Sequence, residues 1–559
     1  MSKNISELSG RKGLRENLFE ELGIAAQSNN GTVSQDKMEQ LHKEFLIGKA
    51  NVYGTVSFYD FMKPENQGKK VYVCNGSACL CAGTQDALHK KLENHFDASE
   101  IGEMCCLGRC HENAAFHISG KNYSGNAINE IEKIKSVVGQ ETNHRNEDNY
   151  QVASIGTAVL ISAFTGIDTY YEIWKKIVGD NTNNGKDELL AELKDSGLRG
   201  RGGAGFPIAI KLEGCRAAAG NEKYIVCNAD EGDPGAYSDR YIMEQQPHAL
   251  LLGMMMAGFI TGANMGVLYI RAEYPESVEI IQQELLKLYE KKLLGENILG
   301  SGFNFDFKII KAQGAYICGE ETALLNSIEG QRPEVRTRPP YPVHQGLFNK
   351  PTVVNNVETL ACVPWIILNG GKKFAAIGKG KSTGTKLISL DSGFNKPGIY
   401  EADMGTPLSK VIDELGGGFK KKIKAMHIGG PLGGLVPVEK IKDLTVDFES
   451  FAQNGFLLGH ASVVCIPEEF PIIQYLEHLF QFTAHESCGK CFPCRLGSTR
   501  GYELLHKART SSYKIDKTLI NDLLETLEVG SLCALGGGLP LPIKNALFYF
   551  EEEMKEYFE

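Results

Sequence analysis

The chain has 559 residues, 42% hydrophobic and 23% charged, the make-up of a globular protein with length for about four domains of roughly 150 residues. Its 59 Lys+Arg against 69 Asp+Glu give a net charge of −10, which argues against nucleic acid as main partner, since phosphate binding draws on a basic patch. Fifteen Cys over this length are too sparse for a small disulfide scaffold. The N-terminus MSKNISELSGRKGLRENLFEELGI is polar and shows no secretory h-region, so a cytoplasmic protein is expected, in which grouped Cys mean metal or redox chemistry.

In chain order, residues 1–68 read as short helices, with apolar positions three and four apart in SQDKMEQLHKEFLIGKANVYGTVSFYDFM. Residues 69–138 read as a small α/β unit: strands VYVCNG and AAFHISGKNYSG around the helix AGTQDALHKKLENHF. The polar stretch GQETNHRNEDNY begins a linker over 139–154. Strands such as YIVCNAD and GVLYIRAEY alternate with helices over 155–370, an α/β pattern. Within it, Ala249–Ile270 carries no charge but is punctuated by Gly253, Gly258, Gly262 and Asn264. It is expected to be a buried Met-rich helix, a turn and a strand, not a membrane span. Residues 383–440 read as a β-rich unit with tight Gly turns, and 455–559 as mainly helical.

The Cys fall into groups. Cys74 and Cys79 form C-x4-C, and Cys106 and Cys110 form C-x3-C about thirty residues later. Two such pairs suit the four thiolates of a 2Fe–2S cluster. A structural zinc site also uses four thiolates but favours C-x2-C. Cys488, Cys491 and Cys494 form C-x2-C-x2-C, and Cys533 is the one Cys after them. That set reads as a 4Fe–4S site, with zinc as the competing reading. Cys81 and Cys105 read as ordinary buried thiols.

SGLRGRGGAGFPIAIK (196–211) places glycines before a helix-like run, where backbone N–H groups can approach a phosphate. Alone it reads equally as a flexible loop, being neither a Rossmann fingerprint nor a P-loop. CNADEGDPGAYSDR (227–240), GAYICGEETALLNSIEG (314–330) and KPTVVNNVETL (350–360) add acids and amides at strand ends. These suit ribose and isoalloxazine hydrogen bonds, or helix caps.

Together, GRGGAGFP, CNADEGDPGAYSDR, AYICGEETALLNSIEG, KPTVVNNVETL and ESCGKCFPCR with Cys533 resemble the flavoprotein subunit of bacterial NADH:quinone oxidoreductase (complex I) and its relatives in NAD-linked hydrogenases and formate dehydrogenases. Residues 35–140 resemble the thioredoxin-like 2Fe–2S subunit of the same complexes, through VYGTVSFYDF and the two Cys pairs. The resemblance implies a fusion: a helical N-terminus, a thioredoxin-like 2Fe–2S domain, an α/β FMN/NAD domain, a β-grasp (SLBB-like) insert and a C-terminal helical bundle with a 4Fe–4S cluster. It implies FMN contacts at Gly200, Arg201, Gly202, Lys211, Asn228, Asp230, Glu231, Tyr316, Gly319, Glu320, Asn355 and Asn356. It puts the dinucleotide over the flavin, with Phe206 and Tyr341 flanking adenine and Asp233, Glu321 and Arg338 at its polar parts.

The chain departs from the family pattern in places. Leu212 follows Lys211 where the family often has Trp, and Gly214 stands for an aromatic. Asp233 replaces a common Glu, Arg338 a common Lys and Tyr341 a common Phe. A shorter acid repels a 2′-phosphate less and an Arg can pair with one, so both NAD(H) and NADP(H) are expected dinucleotides.

The implied activity is hydride exchange between NAD(P)H and FMN, then one-electron transfer through the 4Fe–4S and 2Fe–2S clusters. No side chain is expected to act as catalytic acid, base or nucleophile, because the chemistry belongs to the cofactors. The expected partners are a hydrogenase or formate dehydrogenase catalytic subunit and further iron–sulfur subunits, with electron bifurcation to ferredoxin as an open option. The alternatives are the NADH input module of a respiratory complex I and a zinc-stabilised adaptor with an inert nucleotide site.

Overall fold

The computed structural model describes residues 3–136, 149–179 and 183–559. Three sheets organise it. The first takes β1 (Val71–Cys74), β2 (Ile101–Met104), β3 (Phe116–Ile118) and β4 (Lys121–Tyr123) in the order β2-β1-β3-β4, with β1 parallel to β2 and antiparallel to β3. These strands lie within residues 69–138, the stretch read as a small α/β unit. The preceding helices, Leu18–Gln27, Gln35–Glu44 and Lys49–Val56 among them, pack instead on the next unit. Asn17 Nδ2 donates to the Ile328 carbonyl at 2.7 Å and the Tyr59 hydroxyl to Ser327 Oγ at 2.8 Å, both buried.

Residues 139–148 of the expected linker lie outside the described residues. Its end is not a linker: Gln151–Ile155 is strand β5. The central unit then supplies β6 (Tyr224–Ala229), β7 (Met265–Ile270), β8 (Asp306–Lys311) and β9 (Thr352–Asn356), all parallel in the order β8-β7-β6-β9. A parallel sheet must be covered on both faces. The uncharged run forms the helix Pro247–Thr261, buried from His248 onward and closed by Gly262 in the left-handed region, and then β7. Gly253 lets this helix touch the helix Val357–Asn369: a Cβ there would lie 1.9 Å from the Leu360 carbonyl oxygen. Among the described residues no helix is long and apolar enough to cross a membrane.

The third sheet has six strands: β5 with β10 (Thr385–Leu390), β11 (Gly398–Asp403), β12 (Ile423–Ile428), β13 (Gly434–Pro437) and β14 (Ser462–Pro467), ordered β13-β12-β14-β10-β11-β5. It is wider than the expected 383–440 unit, since β5 joins from before and β14 from the stretch read as helical. β5 pairs in parallel with β11, Gln151 opposite Gly398 through Ile155 opposite Ala402. The end of the chain is helical, led by Ile472–Glu486, Phe492–Thr510 and Lys517–Gly530.

Candidate active site and cluster sites

In the central sheet the chain runs from β6 outward to β7 and β8, then returns to place β9 on the other side of β6. Open parallel sheets bind ligands beyond the carboxyl ends of the strands, where the order reverses. Here that point lies between β6 and β9, and Asn228 and Asn356 are register partners there. Asp230 and Glu231 continue from β6. The glycine-rich loop lies directly over this end. Gly200 N donates to the Phe206 carbonyl at 2.9 Å, and a Cβ on Gly202 would stand 2.9 Å from Asn356 Cβ. Gly203 and Gly205 have φ of 117° and 62°, values that suit glycine.

The expected flavin residues divide into two sorts. Some have their side chains engaged in building the crevice. Asn228 Nδ2 donates to the Gly319 carbonyl at 2.8 Å, and its Oδ1 accepts from Asp230 N at 3.1 Å. The Glu231 carboxylate accepts from the N–H groups of Asp239 and Arg240 at 2.8 and 3.1 Å, at the start of the helix Ser238–Gln245. Glu320 caps the helix Glu321–Ile328, accepting from Thr322 N and Ala323 N at 2.9 Å each. Asn356 caps Val357–Asn369 through its Oδ1 and donates Nδ2 to Asp239 Oδ2 at 2.6 Å. Each cap meets N–H groups that a helix leaves free.

The others carry buried polar atoms with no hydrogen-bond partner among the described residues: Arg201 Nε and Nη1, Asp230 Oδ2 and Asn355 Nδ2. An unmet buried polar group costs about 1–3 kcal/mol, so these atoms fit a bound polar group. Guanidinium donors suit a phosphate, and an amide donor with a carboxyl acceptor suits a flavin ring. Burial pushes the Asp230 carboxyl well above its usual range. Arg201 is anchored deep: its N donates to Thr359 Oγ1 at 2.8 Å and its Nη2 to the Thr383 carbonyl at 2.5 Å.

A second group gathers at the rim. Lys211 Nζ meets Glu321 Oε2 and the Val354 carbonyl, both at 3.0 Å, and Arg338 Nη1 meets Glu321 Oε1 at 2.7 Å. Phe206 and Tyr341 stand 47% and 54% exposed at this rim. Val343 packs at Gly214, where a Cβ would touch it at 3.5 Å. Asp233 keeps other company. The Tyr316 hydroxyl donates to it at 2.7 Å, and a Cβ on Gly430 would crowd its carboxyl at 2.4 Å.

Both Cys groups converge. Cys74 ends β1, Cys79 lies in the helix Ser77–Ala82, and Cys106 and Cys110 follow β2; all four are buried. Cys106 Sγ and Cys110 Sγ are 3.4 Å apart, and Cys74 interacts with Cys79 and Cys106. Gly108 N donates to Cys106 Sγ at 3.5 Å. Gly235 N, from the flavin segment, donates to Cys110 Sγ at 3.2 Å. Cys491 is the N-cap of Phe492–Thr510, Cys494 sits in its first turn, and Cys533 is the N-cap of the short helix Ala534–Gly538. Cys488 and Cys491 lie near Cys494, and Cys488 and Cys494 near Cys533. Burial pushes the Cys494 thiol to about 11 and Cys533 to about 12. Such thiols ionise at neutral pH only with a metal centre to take them as thiolates. Two groups of four Cys suit the ligand chemistry of two iron–sulfur clusters.

Sequence reasoning missed three buried residues: Asp239, Arg271 and His460. Asp239 and Arg271 lay inside quoted segments, where they were read only as part of a turn and a strand, and His460 stands in the run FLLGHASVV with no local pattern to single it out.

A parallel sheet with a polar crevice at its switch point and two groups of four Cys beside it fits an iron–sulfur flavoprotein. Residues 193–365 match the Nuo51 FMN-binding domain, 474–557 the NADH-ubiquinone oxidoreductase-F iron-sulfur binding region, and 11–138 the thioredoxin-like [2Fe-2S] ferredoxin. The chain is 40% identical over 392 residues to the F 2 subunit of the NADH-quinone oxidoreductase of Rhizobium meliloti (strain 1021), covering 70% of this chain and 92% of that one. It is 41% identical over 375 residues to the HndC subunit of the NADP-reducing hydrogenase of Solidesulfovibrio fructosivorans, covering 66% and 76%. A chain of the NAD+-reducing [NiFe]-hydrogenase, solved in the air-oxidised state, superposes with a TM-score of 0.83 at 28% identity, covering 96% of this chain and 93% of its own.

The protein belongs to the family of the FMN-binding, Nuo51-type subunits of NADH-quinone oxidoreductase. It is an NADH-oxidising flavoprotein with FMN, a 4Fe–4S and a 2Fe–2S cluster.

Proposed function

We propose that this chain is the diaphorase unit of a multi-subunit, NAD(P)-linked hydrogenase or formate dehydrogenase. The observation that carries this is the fused 2Fe–2S unit, seated on the flavin segment through the Gly235–Cys110 hydrogen bond. The hydrogenase chain superposes over 96% of this one, the fused 2Fe–2S unit included. Bound FMN supplies the exchange between a hydride and single electrons. The chain binds and orients. Gly200, Gly202 and Arg201 would hold the phosphate side, with Lys211, Asn228, Asp230, Glu231, Tyr316, Gly319, Glu320, Asn355 and Asn356 around the rest. Phe206, Tyr341, Glu321 and Arg338 would seat the dinucleotide at the rim, and Asp233 would meet it deeper in.

Cys74, Cys79, Cys106 and Cys110 would ligate the 2Fe–2S cluster, and Cys488, Cys491, Cys494 and Cys533 the 4Fe–4S cluster. Two separate exits from one flavin are also what a second acceptor such as ferredoxin would need. Such clusters suit the reducing cytoplasm.

The test is to purify the tagged chain anaerobically from its own cells. A copurifying hydrogenase or formate dehydrogenase catalytic subunit is expected, with flavin and iron–sulfur absorption that bleaches on adding NADH or NADPH. Recovery in a quinone-reducing membrane complex would instead favour the respiratory reading. Cys491→Ser should abolish the 4Fe–4S EPR signal and spare the 2Fe–2S one.

A further inference from the structure

Behind the crevice lies a closed charged cluster. Glu231, Asp239 and His460 are all buried. His460 Nε2 lies 3.3 Å from Asp239 Oδ2 and 3.8 Å from Glu231 Oε1. The same Asp239 oxygen accepts from Asn356 Nδ2 at 2.6 Å. Asp233 is a third carboxylate within reach of the imidazole's charge. His460 belongs to a different unit from these acids: it precedes β14 in the six-stranded sheet. Its neighbour Gly459 approaches the glycine-rich loop, where a Cβ on Gly203 would lie 3.9 Å from Gly459 Cα. The imidazole therefore spans from one sheet to the floor of the other's crevice.

Burial opposes charge on His460, and Lys386 adds to that opposition, but Asp239 and Glu231 outweigh both and raise it to about 9. Burial raises Glu231 to about 7. At neutral pH the cluster thus has a cation among three acids.

We propose that His460 is a positioning residue for the flavin chemistry: it fixes Asp239, and through it Asn356, and its charge favours the reduced, more negative flavin. The inference rests on FMN occupying the crevice. A cation in a poorly screened interior acts strongly on charge that develops nearby, and such second-layer groups are how a protein tunes a cofactor.

The test uses FMN-loaded protein at pH 8. His460→Gln keeps a side chain that reaches Asp239 but removes the charge. Its FMN content should match the wild type, while reductive titration followed by FMN absorbance should show the reduced flavin disfavoured at least tenfold, about 30 mV for a two-electron couple. His460→Ala should shift the same way and lower kcat more than KM, because Asn356 loses its anchor. An unmoved flavin potential in His460→Gln would overturn the proposal. So would loss of FMN from that variant, which would mark a merely structural residue. Gly202→Ala separates this from failure of the crevice assignment: it should expel FMN if the crevice is the site, whatever His460 does.

Discussion

Gly235→Ala strikes the point where the flavin segment touches the 2Fe–2S site. Gly235 has a φ of 98°, its N–H donates to Cys110 Sγ at 3.2 Å, and a Cβ there would lie 2.6 Å from Val464 Cγ2 and 3.4 Å from Ser462 Cβ. The positive φ costs a non-Gly residue about 1–3 kcal/mol, and the clash with packed Val464 about 1–3 kcal/mol more. With about 2–6 kcal/mol against it in all, the segment must shift, and the N–H leaves the sulfur. Hydrogen bonds to cluster sulfurs help set its potential. A bond to a charged group is worth about 1.5–3 kcal/mol. If half of that distinguishes the reduced from the oxidised cluster, its loss lowers the potential by about 30–60 mV in a one-electron couple. EPR-monitored potentiometry reads this directly, with the 4Fe–4S signal as internal reference. An unchanged 2Fe–2S potential, or equal shifts in both clusters, would refute the reasoning.

Phe206→Ala and Tyr341→Ala should each raise the dinucleotide KM by about 5- to 30-fold, from about 1–2 kcal/mol of lost ring contact, with FMN content unchanged; an unaltered KM would place the adenine elsewhere. Lys386 and Glu358 are a fully buried ion pair, so Lys386→Met should cost about 3–5 kcal/mol by stranding a carboxylate. Thermal unfolding checks this, and the double variant with Glu358→Leu should recover much of the loss. Burial holds His427 and His478 down at about 4. Their unfolded forms take up protons from about pH 6.5 downward while the folded forms resist. Stability should therefore be intact above pH 6.5 and fall as pH drops toward 4, by a few kcal/mol at about 1.4 kcal/mol per pKa unit. His478→Gln should flatten the slope of unfolding midpoint against pH measured between pH 7.5 and 5.5.

What was legible in the sequence was local. Cys spacing singled out both Cys groups because each pair or triplet is a short stretch of chain. The break from helix to strand in 249–270 followed from glycine punctuation. Strand β5 was hidden because its residues are exposed or half-buried and its partner β11 lies more than two hundred residues on, so no alternating pattern betrays it. β14 was absorbed into a helical reading because its five buried positions, Ser462–Ile466, form a continuous run, which periodicity alone cannot assign. Within the site, residue types were legible but occupations were not. An Asn or Glu before a helix can cap it or face a ligand, and here Asn356 and Glu320 cap while Asn355 and Asp230 are left with polar atoms to offer. His460 could not be found at all: Asp239, which gives it meaning, is 221 residues away.

The segment 227–240 explains why one chain holds both exits. Asp230 and Glu231 form the crevice, and Gly235 reaches Cys110, a proposed 2Fe–2S ligand. Between them, Asp233 accepts from the Tyr316 hydroxyl, whose own backbone N donates to Glu486 at 2.8 Å, two residues before Cys488. Cys110 is thus tied to the flavin segment by a direct hydrogen bond, and the segment before Cys488 by the relay through Tyr316 to Glu486. The 2Fe–2S side is further fixed by buried contacts: Arg271 joins the Glu231 carbonyl to the Cys105 carbonyl at 2.5 and 3.1 Å, and Ser392 N donates to the Cys110 carbonyl at 3.0 Å. In a separate small subunit these contacts would form only on association and be lost on dissociation. In the fused chain they are part of folding, so the distance from flavin to 2Fe–2S site is set by the same core that sets the crevice. Arg271→Met removes the bonds to both carbonyls, together with the 2.7 Å bond to Glu273 Oε1, and should accordingly loosen the 2Fe–2S unit from the flavin unit within the intact chain. Hydrogen exchange across residues 101–110 would report that loosening, and unchanged protection there would show that the interface stands without the arginine.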